Sequence, residues 1–431
     1  IGANAALAVI APNMCGMGGD LWALVHDGSG APLTLNAAGF AGSGADADRV
    51  RAEGHDYIPL KGHISSVTVP GAVDGWLALH ERFGRLALGD VLAEAIRLAD
   101  EGYAASPGLA NGAHLVAAVP DNTDIPGDLS TGQVVRRPGS ARALRAIISH
   151  GRAGFYGGEF GEGLLALGDR LTGDTPAEFA TDDLDQPIAH WVDPVRTEAF
   201  GHVLWTTPPS SQGYLTLAGA WIAEGLPLPS EANDHWAHLL IEAASQAGHD
   251  RMRVLHEHAD GQALVDPGLL AARRSAIDLE RAGNVAPPAA LGDTTYLCVI
   301  DDQGMGVSLI NSNASGFGAH LVAGSSGIFV HDRGIGFSLQ PGHPAEYAPG
   351  RRPPHTLAPA LVTKPSGDLH QVIGTMGGDA QPQILLQRIA RSLGLGQSPG
   401  STISAARWTL GPNDRSAGFE TWRPGLGRRV I

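Results

Sequence analysis

Cysteine is nearly absent: Cys15 and Cys298 are the only two in 431 residues, too few for a disulfide framework. Cys298 falls in an alternating apolar run that predicts a buried free thiol, and neither cysteine is assigned to chemistry. Basic residues are also scarce, with 29 Lys and Arg against 44 Asp and Glu and a formal net charge of −15. That balance, with no Lys/Arg-rich run, argues against a nucleic-acid partner. No apolar run approaches the ~20 residues of a membrane-spanning helix, and no basic-then-apolar signal segment is visible. The expected location is cytoplasmic, with secretion left open because the sequence starts at Ile1 rather than at Met.

Several catalytic patterns are missing too. Gly16, Gly18 and Gly19 do not have the GxGxxG spacing, and no lysine follows as in a phosphate-binding loop, so a turn is the better reading. His256-Glu257-His258 lacks the HExxH spacing that puts two imidazoles on one helical face, and reads as surface. Gly324-Ser325-Ser326-Gly327 is not a GxSxG nucleophile elbow. No metal or organic cofactor is implied.

What is abundant is apolar residue, 43% of the chain, enough for a sizeable core. Ala5 to Ile10 predict the end of a helix stopped at Pro12-Asn13. Leu21 to His26 and Pro32 to Asn36 predict a hairpin around Asp27-Gly28-Ser29-Gly30. Ala72 to Asp100 turns helical, with Trp76, Leu79 and Phe83 on one stripe. Helical period returns through Trp236, Leu239, Leu240, Ala243 and Ala247, and the same helix is expected to carry His238, Glu242 and Arg251 on a solvated, salt-bridged face. Beyond residue 294 the period becomes two, predicting strands at Tyr296 to Ile300, Gly306 to Ile310 and Gly327 to Val330 before a last helix from Ile384 to Leu393. Strands flanked by helices suit a layered α+β fold.

The most telling stretch is Asp293-Thr294-Thr295-Tyr296, directly after a loose Ala/Pro-rich segment running from Ala282 to Ala290. A threonine hydroxyl with no base beside it is a poor nucleophile. A threonine that becomes a chain terminus has its own α-amine within reach, with an ordinary pKa of about 7.7–8.0. Cutting before Thr294 would create nucleophile and base together. Taken locally, the same residues also read as the start of an ordinary half-buried strand.

Longer blocks tip the balance. Met14-Cys15-Gly16-Met17-Gly18-Gly19-Asp20, Val67-Thr68-Val69-Pro70-Gly71-Ala72-Val73-Asp74-Gly75-Trp76 and Pro208-Pro209-Ser210-Ser211-Gln212-Gly213 precede Thr294. Arg333-Gly334-Ile335-Gly336-Phe337-Ser338-Leu339, Arg352-Pro353-Pro354-His355-Thr356-Leu357-Ala358-Pro359 and Gly374-Thr375-Met376-Gly377-Gly378-Asp379 follow it. In this order they resemble the γ-glutamyltransferase family of N-terminal nucleophile hydrolases, closest to its oxamate amidohydrolase-like branch. The resemblance implies a four-layer αββα sandwich, one domain made of a large fragment 1–293 and a small fragment 294–431 that carries the nucleophile. It also implies a heterodimer of self-cleaved fragments, with a dimer of these as a further option, and a small-molecule substrate bearing a carboxylate.

By that resemblance Thr294 attacks a carbonyl, Gly377 and Gly378 supply the oxyanion donors, and Ser312 orients Thr294 or its amine. Read from the residues alone, Ser312 is equally a turn former and the glycine pair a tight turn. The family's γ-glutamyl anchors are largely lost: its early arginine falls on Ala38, its serine pair on His355 and Thr356, its aspartate on Gly336 and its pocket asparagine on Ala314. The oxamate-type branch carries an arginine where this chain has Phe40. Arg333, His355 and Thr356 remain to hold one carboxylate, Arg333 best by its planar fork, unless it is paired with Asp332 or Asp379. Ala38, Phe40 and Ala314 predict a wider, more apolar pocket. The expected activity is hydrolysis of an amide or related acyl bond next to a carboxylate, and not of γ-glutamyl compounds. The alternatives are a carbon–carbon hydrolase releasing an oxalyl unit in an alkylproline antibiotic pathway, and a non-catalytic binding homologue.

Overall fold

The computed structural model describes residues 1–173, 176–283 and 293–410. From residue 284 on, the loose segment expected before Thr294 lies outside the described residues.

In chain order the strands are β1 (Asp20–His26), β2 (Leu33–Ala37), the short ribbon β3 (Tyr103–Ala104) and β4 (Val134–Val135), β5 (His190–Val192), β6 (Val195–Ala199), β7 (His202–Thr206), β8 (Asp293–Ile300), β9 (Gly306–Ala314), β10 (Ala360–Thr363) and β11 (Leu369–Ile373). The two main sheets run β5-β2-β1-β9-β8 and β11-β10-β7-β6, every neighbour antiparallel.

Period-two alternation decides how the sheets stack. Along β1, Leu21, Ala23 and Val25 pack into one helical core, while Trp22 and Leu24 point the other way. Along β7 and β10, Leu204, Ala360 and Val362 pack into a second helical core, while Val203, Trp205 and Leu361 meet Leu24. The sheets therefore bury one face against each other and the opposite face against helices, giving the expected αββα sandwich. One outer layer includes the helices Gly2–Ile10, Ala72–Phe83, Leu88–Glu101 and Pro138–Tyr156, the other Tyr214–Glu224, Asp234–Gly248 and Gln381–Ile389. The layers are tied to the sheets by polar contacts as well: Trp76 Nε1 donates to Asn4 Oδ1 at 2.7 Å, and Asn4 Nδ2 to Asn311 Oδ1 at 3.4 Å.

Three expectations are corrected. Gly327 to Val330 is no strand: Phe329 makes only an isolated bridge to Val322, because Gly324 and Gly327, at φ +53° and +63°, turn the chain there. Cys298 is exposed, since the far half of β8 lies on the sheet edge. Arg251 is not on the helix of Glu242, which ends at Gly248, but in the separate turn Arg251–Val254. Neither residue is solvated: Glu242 accepts from the Gly283 N–H at 3.1 Å, and Arg251 pairs with Asp379 at 2.9 Å.

Candidate active site

Thr294 is the second residue of the edge strand β8 and is 1% exposed. Between the pairs Asp293↔Ala314 and Thr295↔Asn311, β9 uses one more residue than β8. This bulge sets Ser312 and Asn313 against Thr294. The Thr294 hydroxyl donates to Ser312 Oγ at 3.2 Å, and the same Oγ accepts from the Ala314 N–H at 2.8 Å. Ala314 sits at φ +74°, an unfavourable conformation for a residue with a Cβ. Strand alternation sends the Thr295 hydroxyl elsewhere, to the Asn311 carbonyl at 3.3 Å. With the peptide bond before it intact, Thr294 has no amine, and its hydroxyl is held, among the described residues, by its bond to Ser312. Ser312→Ala is therefore expected to slow chemistry at Thr294 by about 10-fold, the worth of one hydrogen bond that strengthens with charge, measured as the rate of chain cleavage in freshly made protein.

Gly377 and Gly378 lie after β11, at φ +128° and +54°, and lead through the turn Gly378–Ala380 into the helix Gln381–Ile389. N–H groups at a helix start have no intrahelical partners and sit at the positive end of the helix dipole, which suits a developing oxyanion. Gln212 fastens this loop, its Nε2 donating to the carbonyls of Gly378 and Thr356, both at 3.0 Å. The Pro208–Gly213 segment carries the family resemblance but no expected catalytic role, and nothing in its local pattern announces this bracing.

Beside Ala314 opens a cavity of about 890 Å³. Ala314, Arg333, Thr356, Arg251 and Asp379 line it together with the apolar Leu255, Ile335, Phe337 and Leu339. Gly336, where the family's aspartate was expected, also faces it and brings no charge. Arg333 is 3% exposed and makes no direct ion pair with Asp332 or Asp379 among those described. Its Nη1 donates to Thr356 Oγ1 at 2.9 Å, while its Nε and Nη2 have no partner among the described residues. Burial, aided by the nearby Arg251, lowers its pKa against the pull of Asp20, Asp332 and Asp379. A guanidinium with unmatched donors on a cavity wall is a place for an anion.

Three residues expected to touch substrate do not line this cavity. His355 is wholly buried, with Nε2 3.1 Å from Asp20 Oδ2. Ala38 packs with Trp22, Ile310 and Leu357, and Phe40 lies in the helical core with the Arg352 guanidinium 5.7 Å from its ring centre. Position in a motif locates the backbone, and here packing between the layers turns these side chains inward.

Asp20, which the sequence reading left without a role, anchors the buried group. Its Oδ1 accepts from Gly39 and Gly71 N–H at 3.0 and 3.2 Å, and its Oδ2 faces His355 and, at 3.5 Å, His331 Nδ1. Burial would raise its pKa, but His331, His355 and Arg333 outweigh burial and hold it at about 2. Burial, then the charge of Arg333, pushes His355 down to about 3. The neutral imidazole and ionised carboxylate therefore form the stable pair. Both folded values lie below the unfolded ones, so the unfolded chain binds more protons as pH falls and stability is lost in acid. The His355 contribution is expected to fade from about pH 6.5 downward and the Asp20 contribution below about pH 4. Urea midpoints measured from pH 8 to pH 4 should fall steadily for the native chain and more shallowly for His355→Gln.

The comparisons agree with this architecture. The family model described as gamma-glutamyltranspeptidase matches residues 1–419. The chain is 32% identical to the glutathione hydrolase-like YwrD proenzyme of Bacillus subtilis and 32% identical to the oxamate amidohydrolase proenzyme of Klebsiella pneumoniae, each alignment covering 95% of this chain and 80% of the relative. The crystal structure of a cephalosporin acylase from Bacillus halodurans superposes with a TM-score of 0.86 at 31% identity, covering 94% of this chain and 77% of that one. Fold, site and similarity lead to one conclusion: this chain is an enzyme of the gamma-glutamyltranspeptidase family.

Proposed function

We propose that this enzyme is a self-cleaving threonine hydrolase that cuts an amide or related acyl bond beside a carboxylate held by Arg333. The observation that carries this reading is the bond of Thr294 to Ser312, whose Oγ also accepts from the N–H of Ala314, a residue lining the cavity in which buried Arg333 keeps two donors without a partner among the described residues. In the first event Thr294 Oγ attacks the carbonyl carbon of Asp293. The C–O bond forms, the C–N bond breaks, and the nitrogen leaves as the α-amine of Thr294. Water then hydrolyses the ester, returning the hydroxyl and leaving a carboxylate on residue 293. In turnover the freed amine takes the hydroxyl proton and passes it to the leaving group, and water releases the acyl product. The N–H groups of Gly377 and Gly378 face the oxyanion in this scheme.

Cleavage at this place need not separate the fragments. Residues 294–431 contribute β9, which pairs with β1, and β10, which pairs with β7, so both sheets are built from both fragments. The heterodimer is thus held by sheet hydrogen bonds and the shared core.

A γ-glutamyl group carries both a carboxylate and an ammonium. Ala38, Ala314 and Gly336 provide no counter-charge, and Asp379 is already engaged by Arg251. The relative named for oxamate acts on an amide whose carbonyl adjoins a carboxylate, which is the geometry one arginine can serve. The test is to incubate purified enzyme with oxamate, N-substituted oxamates and a γ-glutamyl anilide. Oxalate release with little glutamate release is expected. Rapid glutamate release would overturn the substrate assignment, and oxalate released only from carbon–carbon-linked oxalyl compounds would replace amide cleavage with carbon–carbon cleavage.

A further inference from the structure

Glu53, His55 and His63 converge outside the groups used for catalysis, with His55 on the wall of the cavity. Each offers one ligand atom, and the three atoms lie within 4.8 Å of one another. We propose that they form a binding site for a divalent transition metal of the zinc class, with one coordination position open toward the cavity.

The geometry is close to what such an ion needs. Ligands at about 2.0–2.2 Å from a tetrahedral ion stand roughly 3.4 Å apart. Glu53 Oε2 and His63 Nε2 are already 2.9 Å apart, held by a proton that the cation would displace. The His55 ring meets the His63 ring edge-on, with centres 5.7 Å apart and planes at 76°. Glu53 is exposed and both histidines are half-buried, so the ion would be reached by movement of the His55 side chain.

The surroundings support the same reading. His63 Nδ1 lies 2.6 Å from Ser65 Oγ and accepts from the Ser65 N–H at 3.3 Å, so Nε2 carries the proton given to Glu53; an ion at Nε2 would move that proton to Nδ1, where Ser65 Oγ can accept it. The two arginines of this segment are engaged elsewhere, Arg49, whose charge reaches Glu53, by Glu178 and Arg51 by Asp48 and Glu346, which leaves the Glu53 carboxylate to His63. His55 and its neighbours Asp56 and Tyr57 line the cavity, so the open position would face whatever enters. Two imidazoles and one carboxylate favour zinc, cobalt or nickel over magnesium or calcium, which prefer all-oxygen shells. A bound ion would add positive charge at the entrance, where it can take a second anionic group of a ligand.

The site does not depend on Thr294 chemistry, so the test uses untagged native chain and the Thr294→Ala variant side by side. After removal of adventitious metal by chelation and dialysis, each is titrated with Zn²⁺ by calorimetry and with Co²⁺ by visible absorption. Uptake of one equivalent is expected in both proteins, with a cobalt spectrum of a four- or five-coordinate ion. His55→Ala and His63→Ala should each weaken binding by roughly 10–100-fold, and His150→Ala, an exposed histidine on another helix, should leave it unchanged. Circular dichroism on each variant confirms that it is folded. Absence of stoichiometric uptake by the native chain, or uptake that survives both His55→Ala and His63→Ala in folded protein, overturns the proposal.

Discussion

Thr294→Ala is expected to lower turnover of every acyl substrate by roughly 10⁴-fold or more, the scale on which loss of a covalent nucleophile acts. The size follows from the site's economy. In the proposed mechanism one side chain opens the chain, generates its own base and carries the acyl group, and the buried Ser312 hydroxyl beside it has no amine with which to take over. Thr294→Ser keeps the hydroxyl and should retain both cleavage and turnover at reduced rates. Stopped assays of oxalate or amine release on the three proteins, with folding checked by circular dichroism, measure this directly. An alanine variant with native turnover would remove Thr294 from the chemistry.

Arg333→Ala should cost roughly 10²–10³-fold in kcat/KM for a carboxylate-bearing substrate, the usual loss when one partner of a buried charge-assisted pair is removed. The effect is tied to the charge of the ligand. The matching substrate with its carboxylate converted to a neutral amide should react slowly with the native enzyme and at nearly the same rate with the variant. Arg333→Lys should recover only part of the loss, because an ammonium lacks the planar fork that meets two carboxylate oxygens. Equal losses on charged and neutral substrates would mean that Arg333 supports the loop of Thr356 and not the ligand.

Much of this molecule can be read from its sequence. Alternation in Leu21 to His26 and in Tyr296 to Ile300 predicts strands because each residue's side is decided locally, and the helical stripe through Trp76 and Leu79 packs inward as its spacing requires. The glycine-rich words locate the Gly377-Gly378 turn after β11 because that backbone needs glycine. What remains hidden depends on contacts between distant segments. Arg251 meets Asp379 across a separation of 128 residues, and Asp20 on β1 collects Gly39, Gly71, His331 and His355 from four later segments, so no local period signals either. Ala38, Phe40 and His355 show the complementary failure: a motif fixes their place in the chain, while packing between the layers determines which way they point. Glu53, His55 and His63 escaped notice for a similar reason. The spacing follows no helical or metal-binding pattern, and the three meet only because the chain turns at Gly54, whose φ is +91°.

The most direct test of the central claim is intact mass and N-terminal sequencing of the native chain as purified, beside Thr294→Ala. The account predicts two fragments that co-elute under native conditions, the smaller beginning at Thr294, and an uncut alanine variant. A native chain that stays whole, or one cut so that another residue becomes the new terminus, would leave Thr294 without its amine and contradict the mechanism.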